Sequence, residues 1–159
     1  MSVNRAFVLF CGLAIGLWAQ EPYKGPVPEK ADLPYIRHAN KLIPTDAGEA
    51  SEGTNKNDTV YTVSGVGATA RTPLSEPSFI IKVVRMNVQQ MALYKMETKG
   101  GVRQLVVPKN PKRGSRPLRL SLDPLSSGLY KLEVQEALEN GEYCLSPGGS
   151  NSVYCFTVF

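Results

Sequence analysis

Gly141 to Phe159 constrains this chain more than any other stretch. It reads as two β-strands around Pro147-Gly148-Gly149, with Cys144 on one strand and Cys155 on the other. Pairing the two cysteines sets Leu145 opposite Tyr154 and Ser146 opposite Val153. Successive strand residues point to opposite faces. Tyr143, Leu145, Tyr154, Phe156 and Val158 then share one face, which is the expected core face. The cysteines fall on the other face with Glu142, Ser146 and Thr157. A cross-strand disulfide is therefore expected on the outer side of the sheet, stapling an edge. It would close a short loop and stabilise by about 2–3 kcal/mol. Two free buried thiols are the alternative. A metal pair is disfavoured because the chain has a single histidine, His38.

The same alternation recurs upstream. Val60–Ser64, Phe79–Met86, Ala92–Glu97, Arg103–Val107, Leu118–Leu122, Leu129–Gln135, Glu142–Ser146 and Val153–Val158 are short apolar segments about ten residues apart. Leu118, Leu120 and Leu122 point one way, as do Tyr130, Leu132 and Val134. Phe79 to Val84 is apolar on nearly both faces and is expected at the centre of a sheet. Lys99-Gly100-Gly101, Asp123-Pro124, Ser127-Gly128, Asn140-Gly141 and Pro147-Gly148-Gly149 supply turn chemistry. Only Val88–Met91 and Gln135–Asn140 offer a single helical turn. The fold class predicted is all-β: an antiparallel, immunoglobulin-like β-sandwich of seven or eight strands over residues 59–159. Leu138-x-x-Gly141-x-Tyr143 resembles a tyrosine corner, and Leu125-x-x-Gly128-x-Tyr130 repeats the form. Either is eligible.

The N-terminal third reads differently. Arg5 precedes an apolar run, Ala6–Leu17, that is shorter than the roughly 20 residues of a membrane span. Residues 1–19 are expected to be a signal peptide cleaved after Ala19, with an uncleaved anchor as the alternative. Cleavage removes Cys11 and leaves two cysteines. It also removes Arg5 and no acid, lowering the net charge from +4 to +3. An even cysteine count in an exported chain points to a disulfide in a periplasmic, cell-surface or extracellular setting. Pro22, Pro26, Pro28, Pro34 and Pro44 then exclude a long helix. Asp46–Asp58 has almost no apolar residue. Residues 20–58 are accordingly expected to be a proline-rich arm and flexible linker, with Leu33–Ile36 and Leu42-Ile43 able to dock as an added strand.

Motifs for chemistry are sparse. Lys109, Lys112, Arg113, Arg116 and Arg119 place five basic residues in eleven. They form a candidate contact for an anionic partner, an envelope protein or acidic glycan, or else a solvated loop. No aromatic residue is interleaved, so nucleic acid is not an expected partner. Ser64-Gly65-Val66-Gly67 lacks a following helix and reads as a loop. His38 lies in the arm, away from any expected nucleophile. Glu97, Asp123, Glu133 and Glu142 are the acids available to a paired-carboxylate hydrolase. No cofactor loop, metal set or catalytic residue is assigned. Leu33 to Ile43, Ala70-Arg71-Thr72-Pro73-Leu74 and the ending Leu-x-x-Gly-Glu-Tyr…Tyr-Cys-Phe-Thr-Val-Phe resemble small exported bacterial proteins of unknown function, of the acidobacterial kind. The resemblance implies an envelope or secreted location and carries over no catalytic residue. The function expected is a non-enzymatic binding module of the cell envelope. A polysaccharide-acting enzyme and a subunit or adaptor of a surface or secretion assembly are the alternatives.

Overall fold

A computed structural model describes residues 22–110 and 116–159. The expected signal peptide, and Lys112 and Arg113 of the basic segment, lie outside the described residues. The chain forms an all-β sandwich. Its strands are β1 Pro34–His38, β2 Lys41–Pro44, β3 Asp46–Glu49, β4 Ser51–Asn55, β5 Asp58–Ser64, β6 Arg71–Thr72, β7 Ser78–Lys82, β8 Ala92–Lys99, β9 Val102–Val107, β10 Leu120–Ser126, β11 Leu129–Val134, β12 Gly141–Ser146 and β13 Ser152–Val158. One 3₁₀ turn spans Val88–Gln90, where a turn was expected.

Each of the eight strands expected from alternation has a counterpart, but the one expected over Phe79–Met86 ends at Lys82 and the one expected over Leu118–Leu122 starts at Leu120. Asp123-Pro124 is not a turn: β10 runs through it and turns at Ser127-Gly128, with a bulge between Pro124 and Ser126. β10 is an edge strand, where a proline costs no ladder hydrogen bond.

The smaller sheet has the order β10-β11-β7-β1-β2. β7 sits at its centre, as its two-faced apolar sequence requires, and Phe79, Ile80 and Ile81 are fully buried. The larger sheet has the order β3-β13-β12-β8-β9-β5-β4, with β6 added in parallel to β13. The sandwich core lies between the two sheets. Ile36, Phe79, Ile81 and Leu132 from one side meet Leu93, Tyr143, Leu145, Phe156 and Val158 from the other. Phe156 packs edge-on against Phe79 at 5.1 Å and stacks on Tyr143 at 5.7 Å. The Tyr143 hydroxyl donates to the Glu139 carbonyl at 2.8 Å. Of the two candidate corners, this one makes the bond back to the turn backbone.

The segments Leu33–Ile36 and Leu42-Ile43 dock on the domain in β1 and β2, as expected of them, whereas residues 46–58 form strands and not the expected flexible linker. Residues 34–58 supply four strands and the start of a fifth; together with the short β6 they bring the count to thirteen rather than seven or eight. β1 pairs with the central β7. Asp32, at φ 56°, receives the N–H groups of Val84, Arg85 and Met86 on one carboxylate, which ties this segment to the end of β7. Upstream, the Lys30 N–H donates to the Tyr35 hydroxyl, so the proline-rich lead-in docks on the sheet.

The larger sheet closes on itself. β3 pairs with β13 at one end of the strand path, and β4 pairs with β5 at the other. Between β3 and β4 lies only Ala50, whose N–H donates to the Asn151 carbonyl at 2.8 Å. Residues separated by one position are at most about 7 Å apart, so a single bent strand carries both margins and the sheet becomes a roll. The inward positions next to the bend are small: Gly48 lies opposite Val153, a Cβ built there would meet the Val153 side chain at 3.9 Å, and Ala50 follows. Small inward residues let the walls approach, and the backbone ladder rather than apolar burial holds the segment. That is the physical reason it carries no apolar signature.

Candidate functional site

The inside of the roll is a second core. Cross-strand partners share a face, and the registers place Val63, Arg103, Leu105, Met96, Glu142, Cys144, Val153, Cys155 and Asp46 on the inner one. Strands β8, β12 and β13 form the wall between the two cores. Leu93, Tyr143 and Phe156 face the sandwich, whereas Met96, Cys144 and Cys155 face the roll.

Cys144 and Cys155 are bonded in the expected register, with Cα atoms 4.0 Å apart. Their expected position on an outer face at an edge is corrected. Both are buried, at 2% and 1% exposure, on two interior strands of the sheet. The face they occupy would be wet in an open sheet; here the bent β3–β4 strand and β5 cover it.

One end of the roll is closed by a polar plug. The Arg103 side chain is buried; its Nη2 donates to the Ser64 carbonyl at 2.8 Å and its Nε to the Gly65 carbonyl at 3.3 Å. Its Nη1 stands 3.8 Å from Glu142 Oε2 and has no hydrogen-bond partner among the described residues. Glu142 in turn accepts the Ala68 N–H at 2.9 Å and the Thr157 hydroxyl at 2.6 Å. Asp46 accepts the Thr69 hydroxyl at 2.7 Å and the N–H groups of Thr69 and Ala70. Burial alone would raise the Asp46 pKa, but these donors and the nearby Arg103 hold it below the usual aspartate value. Ser64-Gly65-Val66-Gly67 is thus the lid of this plug, and no helix follows it.

The other end is open. A cavity of about 390 Å³ enters there. Its floor is Val63, Met96, Leu105, Cys144 and Val153; its walls are Tyr61, Tyr94, Ala92 and Val107; its rim is Ala50, Glu52, Gln90, Ser146 and the loop 147–151. The opening arises where two strands part. β8 pairs with β9 only over Glu97–Lys99, whereas its Ala92–Met96 half pairs with β12 and Leu105–Val107 pair with β5. Glu52 lies opposite Tyr61 in the ladder. Burial pushes the Tyr61 hydroxyl pKa up, and the Glu52 carboxylate adds to the shift.

The basic segment lies elsewhere. Arg116 makes a forked contact with Glu136 at 3.0 and 3.3 Å, and the Arg119 guanidinium stands 3.8 Å from the same carboxylate. Lys109 is exposed, and its N–H donates to Asp58 at 3.3 Å. Two of the three described cations are therefore engaged by one acid rather than gathered at a mouth. The other sequence candidates are scattered. His38 is exposed at the end of β1, opposite Lys41. Asp123 and Glu133 share Lys131, at 3.5 and 3.1 Å. Glu142 belongs to the plug, and Glu97 is exposed on β8. A shallow depression of about 300 Å³ holds Glu76 and Glu133. Among the described residues, no three of His, Cys, Asp and Glu are grouped to hold a metal ion, and no helix is long and apolar enough to cross a membrane.

Sequence reasoning missed the cavity. The signal was two-faced strands: Leu93 alternates with Tyr94 and Met96 behind it, and Val102 with Arg103 and Leu105. Compared with protein-family models, curated proteins and solved structures, the chain matches none.

Proposed function

We propose that this chain is an exported, non-enzymatic binding module of the cell envelope that takes its ligand at the open end of the roll. One observation carries the reading: a concave cavity of about 390 Å³ has an apolar floor and a rim of a few polar side chains, the usual make-up of a ligand site. Strands position its floor and walls, and such scaffolds hold a site more rigidly than loops do. Export is supported by the buried disulfide, which is typical of oxidising compartments, and by the apolar N-terminal run. The Tyr143 corner bond supports assigning the sandwich to the immunoglobulin-like type. The basic segment is a second contact for an anionic envelope partner, with exposed Lys109 as its described free-standing cation and Arg116 and Arg119 held by Glu136.

The test is a thermal-shift screen of a chemically mixed fragment set against wild type and Ala92→Trp, which fills the cavity. Fragments that raise the wild-type melting temperature and leave the variant unmoved support the reading. A screen in which nothing shifts wild type, or in which both respond alike, overturns it.

The paired-carboxylate enzyme has one observation on its side: Glu76 and Glu133 line the same shallow depression. Glu133 is already engaged by Lys131 at 3.1 Å, which makes it a poor free acid. Release of reducing ends from polysaccharides, abolished by Glu76→Gln, would favour that reading over binding.

A further inference from the structure

The ligand's charge can be read from the cavity. We propose that the open end of the roll binds a small organic cation, with its charged head between Tyr61, Tyr94 and Glu52 and its apolar body on the floor. The inference rests on the binding-module reading and adds the ligand class.

Three observations converge. First, among the described residues the lining contains one carboxylate, Glu52, and no lysine, arginine or histidine, in a chain whose overall charge is +4. A lining whose one formal charge is a carboxylate favours a cation over an anion there. Second, Tyr61 and Tyr94 both point inward from strands on different sides of the opening, β5 and β8. Aromatic faces attract cations, most strongly where water is partly excluded. A tyrosine is uncharged at neutral pH, and burial raises the Tyr61 pKa further. Third, Met96, Leu105 and Val153 form an apolar floor that accepts methyl or methylene groups. A carboxylate at the rim, two aromatic walls and an apolar floor match a head-and-body cation better than a sugar, which needs polar partners along its whole edge. The remaining polar rim groups sit on one side, at Gln90, Ser146 and the loop 147–151.

The test uses three probes of one shape and different charge: choline, its neutral isostere 3,3-dimethylbutan-1-ol, and the anion 3,3-dimethylbutanoate. Binding to the disulfide-intact protein is followed by calorimetry and by the tyrosine ring signals in NMR. The expected order is choline tightest, the alcohol at least about tenfold weaker, and the anion weakest, because a cation–π contact plus one carboxylate supplies a discrimination of this size. Glu52→Gln should erase most of the preference for choline over the alcohol. Tyr94→Leu should weaken choline more than the alcohol. Glu52 is exposed, so its variant is expected to fold. Equal or tighter binding of the alcohol, or choline binding indifferent to Glu52→Gln, overturns the cation assignment. If neutral fragments still bind wild type and not Ala92→Trp, the cavity remains a binding site and only its ligand class is wrong. If no probe and no fragment binds, both readings fall.

Discussion

The two cores share a wall yet are filled by opposite means. Between the sheets, Phe79, Tyr143 and Phe156 interlock with Ile36, Leu93 and Leu145, and among the described residues no charged group is buried with them. Within the roll the residues are smaller, a disulfide crosses the middle, an arginine and a glutamate plug one end, and the other end is open. The first core holds the domain together by area removed from water. The second is held by covalent and polar links, which allows it to stay partly empty. A cavity is tolerated where stability does not depend on filling it.

The comparison breaks if the sandwich core proves expendable. Phe156→Ala removes the ring that touches both Phe79 and Tyr143 and should cost about 3–5 kcal/mol in urea unfolding. A loss below that of any roll substitution would invert the assignment of which core dominates. Next in size, Glu142→Ala leaves the buried Arg103 without its counter-charge and frees the Ala68 N–H, so a loss of about 2–4 kcal/mol is expected. Glu142→Gln, which keeps the shape and one acceptor, should lose less; equal losses would mean the plug works by packing alone.

Replacing both cysteines with alanine should cost about 2–3 kcal/mol, from the short loop that the bridge closes. Because the bond is buried, wild type should resist a mild reductant in the native state and lose the bridge only on unfolding. Alkylation and mass measurement would show this, and rapid labelling of the folded protein would contradict the burial.

The smallest effect is pH dependence at the plug. Asp46 has a folded pKa below the ordinary aspartate value. Its contribution is therefore complete above about pH 4 and disappears as pH falls through the depressed value. Asp46 is partly exposed, so screening keeps the effect to about 1 kcal/mol or less. Asp46→Asn should flatten part of the acid limb of the stability curve below about pH 4. An unchanged limb would leave Asp32, also depressed by its backbone donors, as the main acid-sensitive group of the fold.

Strands that bury apolar residues on one face were legible in the sequence, because period two is written in the residues themselves: Leu120 and Leu122, Tyr130 and Leu132, Tyr143 and Leu145. The cysteine register was legible for the same reason. The strand from Asp46 to Asn55 was not. It is held by hydrogen bonds to β13 on one side and to β5 on the other, and those leave no mark on side-chain composition. Missing that strand also hid the second core, because Cys144 and Met96 become interior positions only once something covers them. Arg103 was unreadable as a buried residue, since its partners, the Ser64 and Gly65 carbonyls and Glu142, meet it only through the roll's curvature.

The single bent strand has a consequence for traffic. Its neighbours grip it on both sides, so the rim carrying Ala50 and Glu52 is barred from swinging outward as a free margin would. Any widening must come from the gap where β8 and β9 diverge, or from the loop 147–151. Residence time of a bound molecule would then be set by those two segments, and a crosslink that ties β8 to β9 across the gap should slow both arrival and departure.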